Sequence, residues 1–80
     1  MKIEILAFGI ARDILGGGTT ALDIPEPSCV GALRRQLIQR FPPLAQLTSM
    51  AVAVNGEYAS DDQSIHPGDE VVLIPPVSGG

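Results

Sequence analysis

Glycine and proline divide the 80-residue sequence into short segments, and this punctuation constrains the fold more than any other feature. Five turn or helix-stop signals interrupt the chain: Gly16-Gly17-Gly18, Pro25 with Pro27, Pro42-Pro43, Asn55-Gly56 and Pro67-Gly68. Between them apolar residues mostly alternate, as in strands, whereas over residues 28–41 they recur every three or four positions, as in a helix. The sequence therefore predicts short strands on both sides of one main helix.

The order of these segments predicts a particular fold class. Strands are expected over five segments: residues 2–8, 19–24, 50–54, 57–58 and 70–74. A short helical turn is expected after the first strand, and the main helix is expected to begin at Ser28 as N-cap and to run to about Phe41. This order predicts an α+β domain of the β-grasp, or ubiquitin-like, type. In it a mixed sheet of about five strands packs on the main helix, with the first and last strands as central neighbours.

The alternation also assigns residues to the two faces of the sheet. Eight apolar residues share the face expected under the helix: Ile3, Ile5, Leu22, Ile24, Val52, Val54, Val71 and Leu73. The opposite face should be polar if it meets water, yet its residues are largely apolar: Leu6, Phe8, Ala53, Tyr58, Val72 and Ile74. Such a patch indicates a docking surface. The alternatives are that loops cover it or that the strand phase is shifted by one residue.

Composition and charge argue against several function classes. The net charge of −4 does not favour nucleic-acid binding, which needs a basic surface. No run is long and apolar enough to span a bilayer and no signal segment is visible, so a cytoplasmic location is expected. One cysteine and one histidine, Cys29 and His66, allow neither an internal disulfide nor a cysteine metal cluster. We expect no metal site and no catalytic activity of the chain alone.

The last six residues, 75–80, form a predicted flexible tail after a domain over residues 1–74. Gly79 and Gly80 have no Cβ, so this end of the backbone is thin enough for a narrow pocket, and Pro75-Pro76 stiffen its start. Fully extended, the tail reaches roughly 20 Å. We therefore expect the carboxylate of Gly80 to enter a partner's active site, while Arg12 lies close enough to the apolar face to bind an acidic group of a partner.

Three segments resemble the small subunit of molybdopterin synthase. Residues 69–80 closely resemble its C-terminal end, and Val54-Asn55-Gly56-Glu57 resembles its V-N strand and turn. Phe8 and Ala11-Arg12-Asp13, with Gly16, are similar to its F-x-x-A-R-[ED] segment. The sequence departs from the family at the Gly17-Gly18 extension and at Ala7, where a bulkier apolar residue is common.

The resemblance implies a sulfur carrier in molybdenum cofactor biosynthesis. An E1-like adenylating enzyme would use ATP to activate Gly80, and a persulfide sulfur donor would convert the carboxylate to a thiocarboxylate. The large subunit of the synthase would then receive the tail, and the sulfur would pass to cyclic pyranopterin monophosphate. No permanently bound cofactor is implied. Beside the reactive Gly79 and Gly80, the implied partner-binding residues are Phe8, Arg12, Tyr58, Ile74, Pro75, Pro76, Val77 and Ser78.

Three other functions remain open on the residues alone. A sulfur carrier for thiamine or another thiolated product shares the fold and the Gly-Gly end, although the Pro-Pro-Val-Ser lead-in and the Ala-Arg-Asp segment favour the molybdopterin branch. A ubiquitin-like modifier would be joined to lysines through Gly80. A plain interaction module would keep its activity without Gly80, whereas a carrier would lose it with its fold intact.

Overall fold

A five-stranded mixed sheet with one main helix packed on it organises the chain in the computed structural model, which describes residues 1–47 and 50–75. The elements follow in the order β1 (Lys2–Ala7), α1 (Gly9–Leu15), β2 (Thr19–Asp23), β3 (Ser28–Cys29), α2 (Val30–Arg40), a 3₁₀ helix (Pro42–Gln46), β4 (Ala51–Val54), β5 (Glu57–Tyr58), β6 (Ser64–Ile65) and β7 (Glu70–Ile74). No described helix is both long and apolar enough to cross a membrane.

The sheet has the strand order β2-β1-β7-β4-β5. β1 and β7, the first and last strands, are parallel neighbours near its centre, with Ile5 in register with Val71. The other neighbours in this sheet are antiparallel. This arrangement confirms the predicted β-grasp fold. A separate two-stranded ladder pairs β3 with β6 and was not predicted, because strands of two residues leave no periodic signal.

Turn chemistry explains where the strands end. Asn55 and Gly56 have φ angles of +52° and +85° between β4 and β5, as a tight hairpin turn of the Asn-Gly type requires. Gly68 has a φ of +87° after Pro67, and the N–H of Asp69 donates to the carbonyl of His66 at 3.1 Å. The latter geometry agrees with the predicted type II turn that leads into β7.

The start of α2 differs from the prediction that Ser28 is its N-cap. Ser28 is extended in β3, the helix begins at Val30, and Cys29 occupies the N-cap position without a side-chain hydrogen bond. Backbone carbonyls of a loop distant in sequence cap the helix instead. The N–H of Val30 donates to Gln63 at 2.9 Å, and that of Gly31 donates to Asp61 at 2.8 Å.

The core lies between the sheet and α2. All eight residues predicted for this face of the sheet are buried. They pack with the buried α2 residues Val30, Leu33 and Leu37. Arg34 of α2 is half-buried and donates from its guanidinium to the carbonyl of Met50 at 2.8 Å. It also pairs with Asp61 at 3.4 Å, so it links the helix to the start of β4 and to the capping loop.

Candidate functional site

The face of the sheet opposite α2 carries a continuous apolar row. Strand register places Leu6 beside Val72, Val72 beside Ala53, and Ala53 beside Tyr58, so four neighbouring strands contribute one residue each. Leu6 and Val72 are half-buried, whereas the small Ala53 is buried within the row. The predicted strand phase is therefore confirmed.

Three large apolar side chains are exposed on this face or in the helix that follows β1. Phe8 is 58% exposed, Ile10 is 51% exposed and Tyr58 is 76% exposed. These fractions show that the described loops leave these three side chains accessible. We use the name docking face for six residues: Leu6, Phe8, Ile10, Tyr58, Val72 and Ile74.

Ile10 was not among the residues predicted for the exposed apolar face. It lies in the first turn of α1, a helix of seven residues in which Ala11 and Leu15 are buried. A helix of two turns gives too few positions for periodicity to separate an exposed apolar residue from a buried one. The position of Ile10, two residues after Phe8, was the one available signal.

Parallel pairing brings two predicted contact residues to the C-terminal ends of neighbouring strands. Because Ala7 is in register with Leu73, the next residues, Phe8 and Ile74, leave β1 and β7 at the same end. Arg12 follows Phe8 by one helical turn, its N–H donating to the Phe8 carbonyl at 3.3 Å. The register therefore brings Phe8 and Ile74 to the same end of the sheet, whereas the Arg12 side chain lies beside the glycine loop that follows α1.

Arg12 has an exposed side chain beside the Gly16-Gly17-Gly18 loop. Its backbone carbonyl accepts hydrogen bonds from the N–H groups of Gly16 at 3.0 Å and Gly17 at 3.1 Å. These bonds end α1, and the glycine loop then leads into β2. Within the described ranges, the guanidinium forms no ion pair. It is thus available to an acidic group of another molecule at the margin of the docking face.

The opposite end of this sheet face is charged. Lys2 is in register with Asp23, and Glu4 is in register with Glu70, and all four residues are exposed. The face therefore changes from acidic and polar at one end to apolar at the end where Ile74 precedes the tail. A bound partner would meet a surface with a defined orientation.

A small polar network joins the turn at Asn55 to the turn over residues 66–69. The Asn55 side-chain amide donates to Asp69 at 3.0 Å, and the N–H of Glu70 donates to the Asn55 side-chain oxygen at 3.0 Å. The backbone N–H of His66 donates to Asp69 at 2.8 Å. This bond, the Asn55 bond and the His66 charge lower the pKa of Asp69. Asp69 thus ties β7 to the hairpin of β4 and β5.

The remaining candidates are separate from this site. Cys29 is a half-buried free thiol in β3, on a groove lined also by Pro25, Pro27 and Gln36. His66 is exposed in the turn before Pro67. Within residues 1–47 and 50–75, no group of three or more His, Cys, Asp or Glu side chains is arranged to hold a metal ion.

The predicted reactive tail lies largely outside the described residues. Of the predicted site residues, this applies to Pro76, Val77, Ser78, Gly79 and Gly80. Pro75 is described and half-buried at the end of β7. The division into a domain over residues 1–74 and a tail over 75–80 therefore stays a prediction.

Comparisons with known proteins agree along the whole chain. The ThiS family model matches residues 5–80. The chain is 35% identical to the molybdopterin synthase sulfur carrier subunit of Arabidopsis thaliana, over 100% of this chain and 84% of that protein. The crystal structure of SAMP1 from Haloferax volcanii matches with a TM-score of 0.87 and 28% identity, covering 100% of both chains. A chain in the complex of subunits 1 and 2 of the molybdopterin-converting factor from Helicobacter pylori matches with a TM-score of 0.70 and 25% identity, again over 100% of both chains.

Proposed function

Because this chain belongs to the ThiS family, we propose that it is a sulfur carrier in molybdenum cofactor biosynthesis, acting as the small subunit of molybdopterin synthase. One observation supports this most directly: the chain aligns over its full length with the Arabidopsis sulfur carrier subunit at 35% identity. The predicted family resemblance is thereby confirmed. The apolar docking face beside the tail gives this function a physical basis.

The chemistry is assigned to the carboxylate of Gly80. A free carboxylate is a poor electrophile, so an E1-like adenylating enzyme would first use ATP to form an acyl-adenylate, whose AMP is a good leaving group. The terminal sulfur of a persulfide donor then attacks the acyl carbon and displaces AMP, which gives an acyl disulfide. A second thiol cleaves the S–S bond of this intermediate, so that the thiocarboxylate is released and the thiol forms a disulfide with the donor. This terminus is a good nucleophile at neutral pH and needs no general base from the carrier itself.

The docking face serves as the binding surface for both partners in this proposal. Phe8, Tyr58 and Ile74 supply apolar contact area, and Arg12 supplies a charged group at the margin. The large subunit and the adenylating enzyme would both need to hold this face in order to receive the tail. They should therefore compete, and each round of sulfur delivery requires release from one before binding to the other.

The experiment that tests the function follows Gly80 by intact and tandem mass spectrometry. The carrier is incubated with the adenylating enzyme, ATP and a persulfide donor. We expect a sulfur-for-oxygen exchange localised to Gly80. Localisation by fragmentation is necessary because methionine oxidation gives nearly the same mass shift.

The control is a variant that lacks Gly80, which should fold normally and acquire no sulfur. If Gly80 keeps a plain carboxylate under conditions in which the adenylating enzyme and ATP are active, the proposed function is wrong. If the variant without Gly80 supports product formation as well as the full chain does, the chain is an interaction module instead.

Protein modification is the second candidate function. It is favoured by the similarity to SAMP1 of Haloferax volcanii, which is a small archaeal modifier protein. The fold of SAMP1 matches over the whole chain with a TM-score of 0.87. Both functions begin with the same adenylate, so activation of Gly80 does not separate them. An amide bond from Gly80 to a lysine of another protein, found by tandem mass spectrometry of digested conjugates, would identify the modifier. A thiocarboxylate that passes sulfur to the large subunit would identify the carrier.

A further inference from the structure

The start of α1 and the exit of β7 are in close contact. Gly9 has a φ of +57°, so the backbone turns sharply between Phe8 and Ile10. A Cβ placed on Gly9 would lie 3.3 Å from the Cγ atom of Pro75. Because β1 and β7 are parallel neighbours, the residues that follow these two strands lie at the same end of the sheet. Pro75 is thus seated against a backbone position that has no side chain.

Gly9 differs from the other left-handed glycines in the described chain. Gly16, Gly56 and Gly68 also have positive φ angles, but a Cβ on any of them would meet nothing within 4 Å. In those turns glycine satisfies the backbone conformation alone. At Gly9 the positive φ is combined with a close approach by Pro75, which is the first residue of the predicted tail and the last residue that the structure describes.

We propose that the contact between Gly9 and Pro75 fixes the direction in which the C-terminal tail leaves the domain. Gly9 and Pro75 are positioning residues in this inference, which rests on the proposed function. The proline ring restricts φ at the exit, and the absent side chain at Gly9 leaves room for the ring beside the start of α1. A partner that holds the docking face then receives the tail at a set angle.

The length of the tail makes this angle important. The five residues after Pro75 reach at most roughly 17 Å when extended. A rotation of about 20° at Pro75 would displace the far end of such a segment by about 6 Å. Reacting groups must be placed within about 0.5 Å and 10–20° of the productive geometry, so a change of direction at the exit lowers the rate even when the docking face still binds.

The test measures ATP–pyrophosphate exchange by the adenylating enzyme, with the carrier as the varied substrate. The first variant is Gly9→Val, which places a branched side chain against Pro75. Its matched control is Gly68→Val, which has the same kind of left-handed strain in open space. We expect Gly9→Val to lower kcat by about 10-fold or more with KM within about threefold of the original, and Gly68→Val to change neither. Circular dichroism establishes that both variants are folded at the assay temperature.

A second variant keeps the inference testable if Gly9→Val does not fold. Pro75→Gly removes the Cγ contact and the restricted φ without adding strain, and it should lower kcat several-fold at unchanged KM. If Gly9→Val folds and keeps the original kcat, the inference is overturned. If Gly9→Val does not fold, Pro75→Gly decides, and an original kcat in that variant overturns the inference. A rise in KM alone would also overturn it, because that result assigns the contact to docking. No exchange with the unaltered carrier would instead contradict the proposed function.

Discussion

Val71 and Val72 are adjacent on β7, yet they belong to two surfaces with different uses. Val71 is 0% exposed under α2, whereas Val72 lies half-buried on the docking face. The same contrast holds on β1 between Ile5 and Leu6. Since successive side chains on a strand point to opposite faces, one sheet separates the residues that hold the fold from those available to a partner.

The difference between the faces shows where apolar burial has been used. On the covered face, α2 and the buried Leu44 of the 3₁₀ helix exclude water, so that area already contributes to folding. On the docking face, Phe8, Ile10 and Tyr58 keep more than half of their surface exposed. Their burial is therefore still available to stabilise a complex.

The largest expected effect comes from the covered face. Val71→Ala should lower the free energy of unfolding by about 2–3 kcal/mol, because it removes fully buried methyl groups and leaves a cavity. Val72→Ala is the matched variant on the docking face and should cost less than about 1 kcal/mol. Denaturant unfolding of the two proteins gives both values. Equal losses would mean that the two faces contribute alike to stability.

The next effect is on binding. Phe8→Ala should weaken binding to the large subunit by about 30-fold, equivalent to roughly 2 kcal/mol, because exposed aromatic residues often dominate interfaces. Its free energy of unfolding should change by no more than about 0.5 kcal/mol. Isothermal titration calorimetry measures the affinity, with Lys2→Ala at the charged end of the same sheet face as the control. If Lys2→Ala weakens binding as much as Phe8→Ala does, the apolar end is not the principal contact.

A smaller effect on stability is expected from the turn between β4 and β5, and it should be confined to the strand that carries Tyr58. Asn55→Gly keeps a residue that tolerates positive φ but removes the hydrogen bonds to Asp69 and Glu70. We expect the free energy of unfolding to fall by about 1 kcal/mol. Amide hydrogen exchange should become faster in β5, which presents Tyr58, and stay unchanged in α2. Faster exchange throughout α2 would show that the turn network supports the core as well.

The smallest effect is on pH dependence. The pKa of Asp69 is lowered from its ordinary value of 3.8, chiefly by the hydrogen bond from the His66 N–H. The ionised carboxylate therefore stabilises the folded state above pH 3.8, and this contribution is lost as the pH falls through the lowered pKa. Acid unfolding of Asp69→Asn should show a weaker pH dependence between pH 4 and pH 2, about the range in which Asp titrates. An unchanged acid limb would contradict this role.

Much of the fold was predictable because alternation and turn residues are local signals. The covered-face residues, the order of the main strands and the Asn55-Gly56 and Pro67-Gly68 turns all followed from them. The N-cap at Ser28 was wrong because the cap of α2 is supplied by backbone carbonyls from a distant loop. A propensity for capping describes one residue and its neighbours, and no local pattern encodes that loop.

The candidate site was predictable where it belonged to strands or to family motifs. Phe8, Tyr58 and Ile74 followed from strand phase, and the family resemblance of the Ala-Arg-Asp segment and the tail is confirmed by the match over residues 5–80. Ile10 and the contact between Gly9 and Pro75 did not follow. Both depend on how the start of α1 lies relative to the end of β7, which is a tertiary relation between segments far apart in sequence.

The central position of β7 has a mechanical consequence for a protein handled by its C-terminal end. β7 lies between β1 on one side and β4 on the other. A pull on the tail acts along the strand axis, while the ladder hydrogen bonds run mainly across it. The load is therefore shared as shear over two ladders at once, and no single bond at an edge bears it first. Pairing on both sides of β7 therefore resists unravelling of the sheet when force is applied at the C-terminal end of this strand.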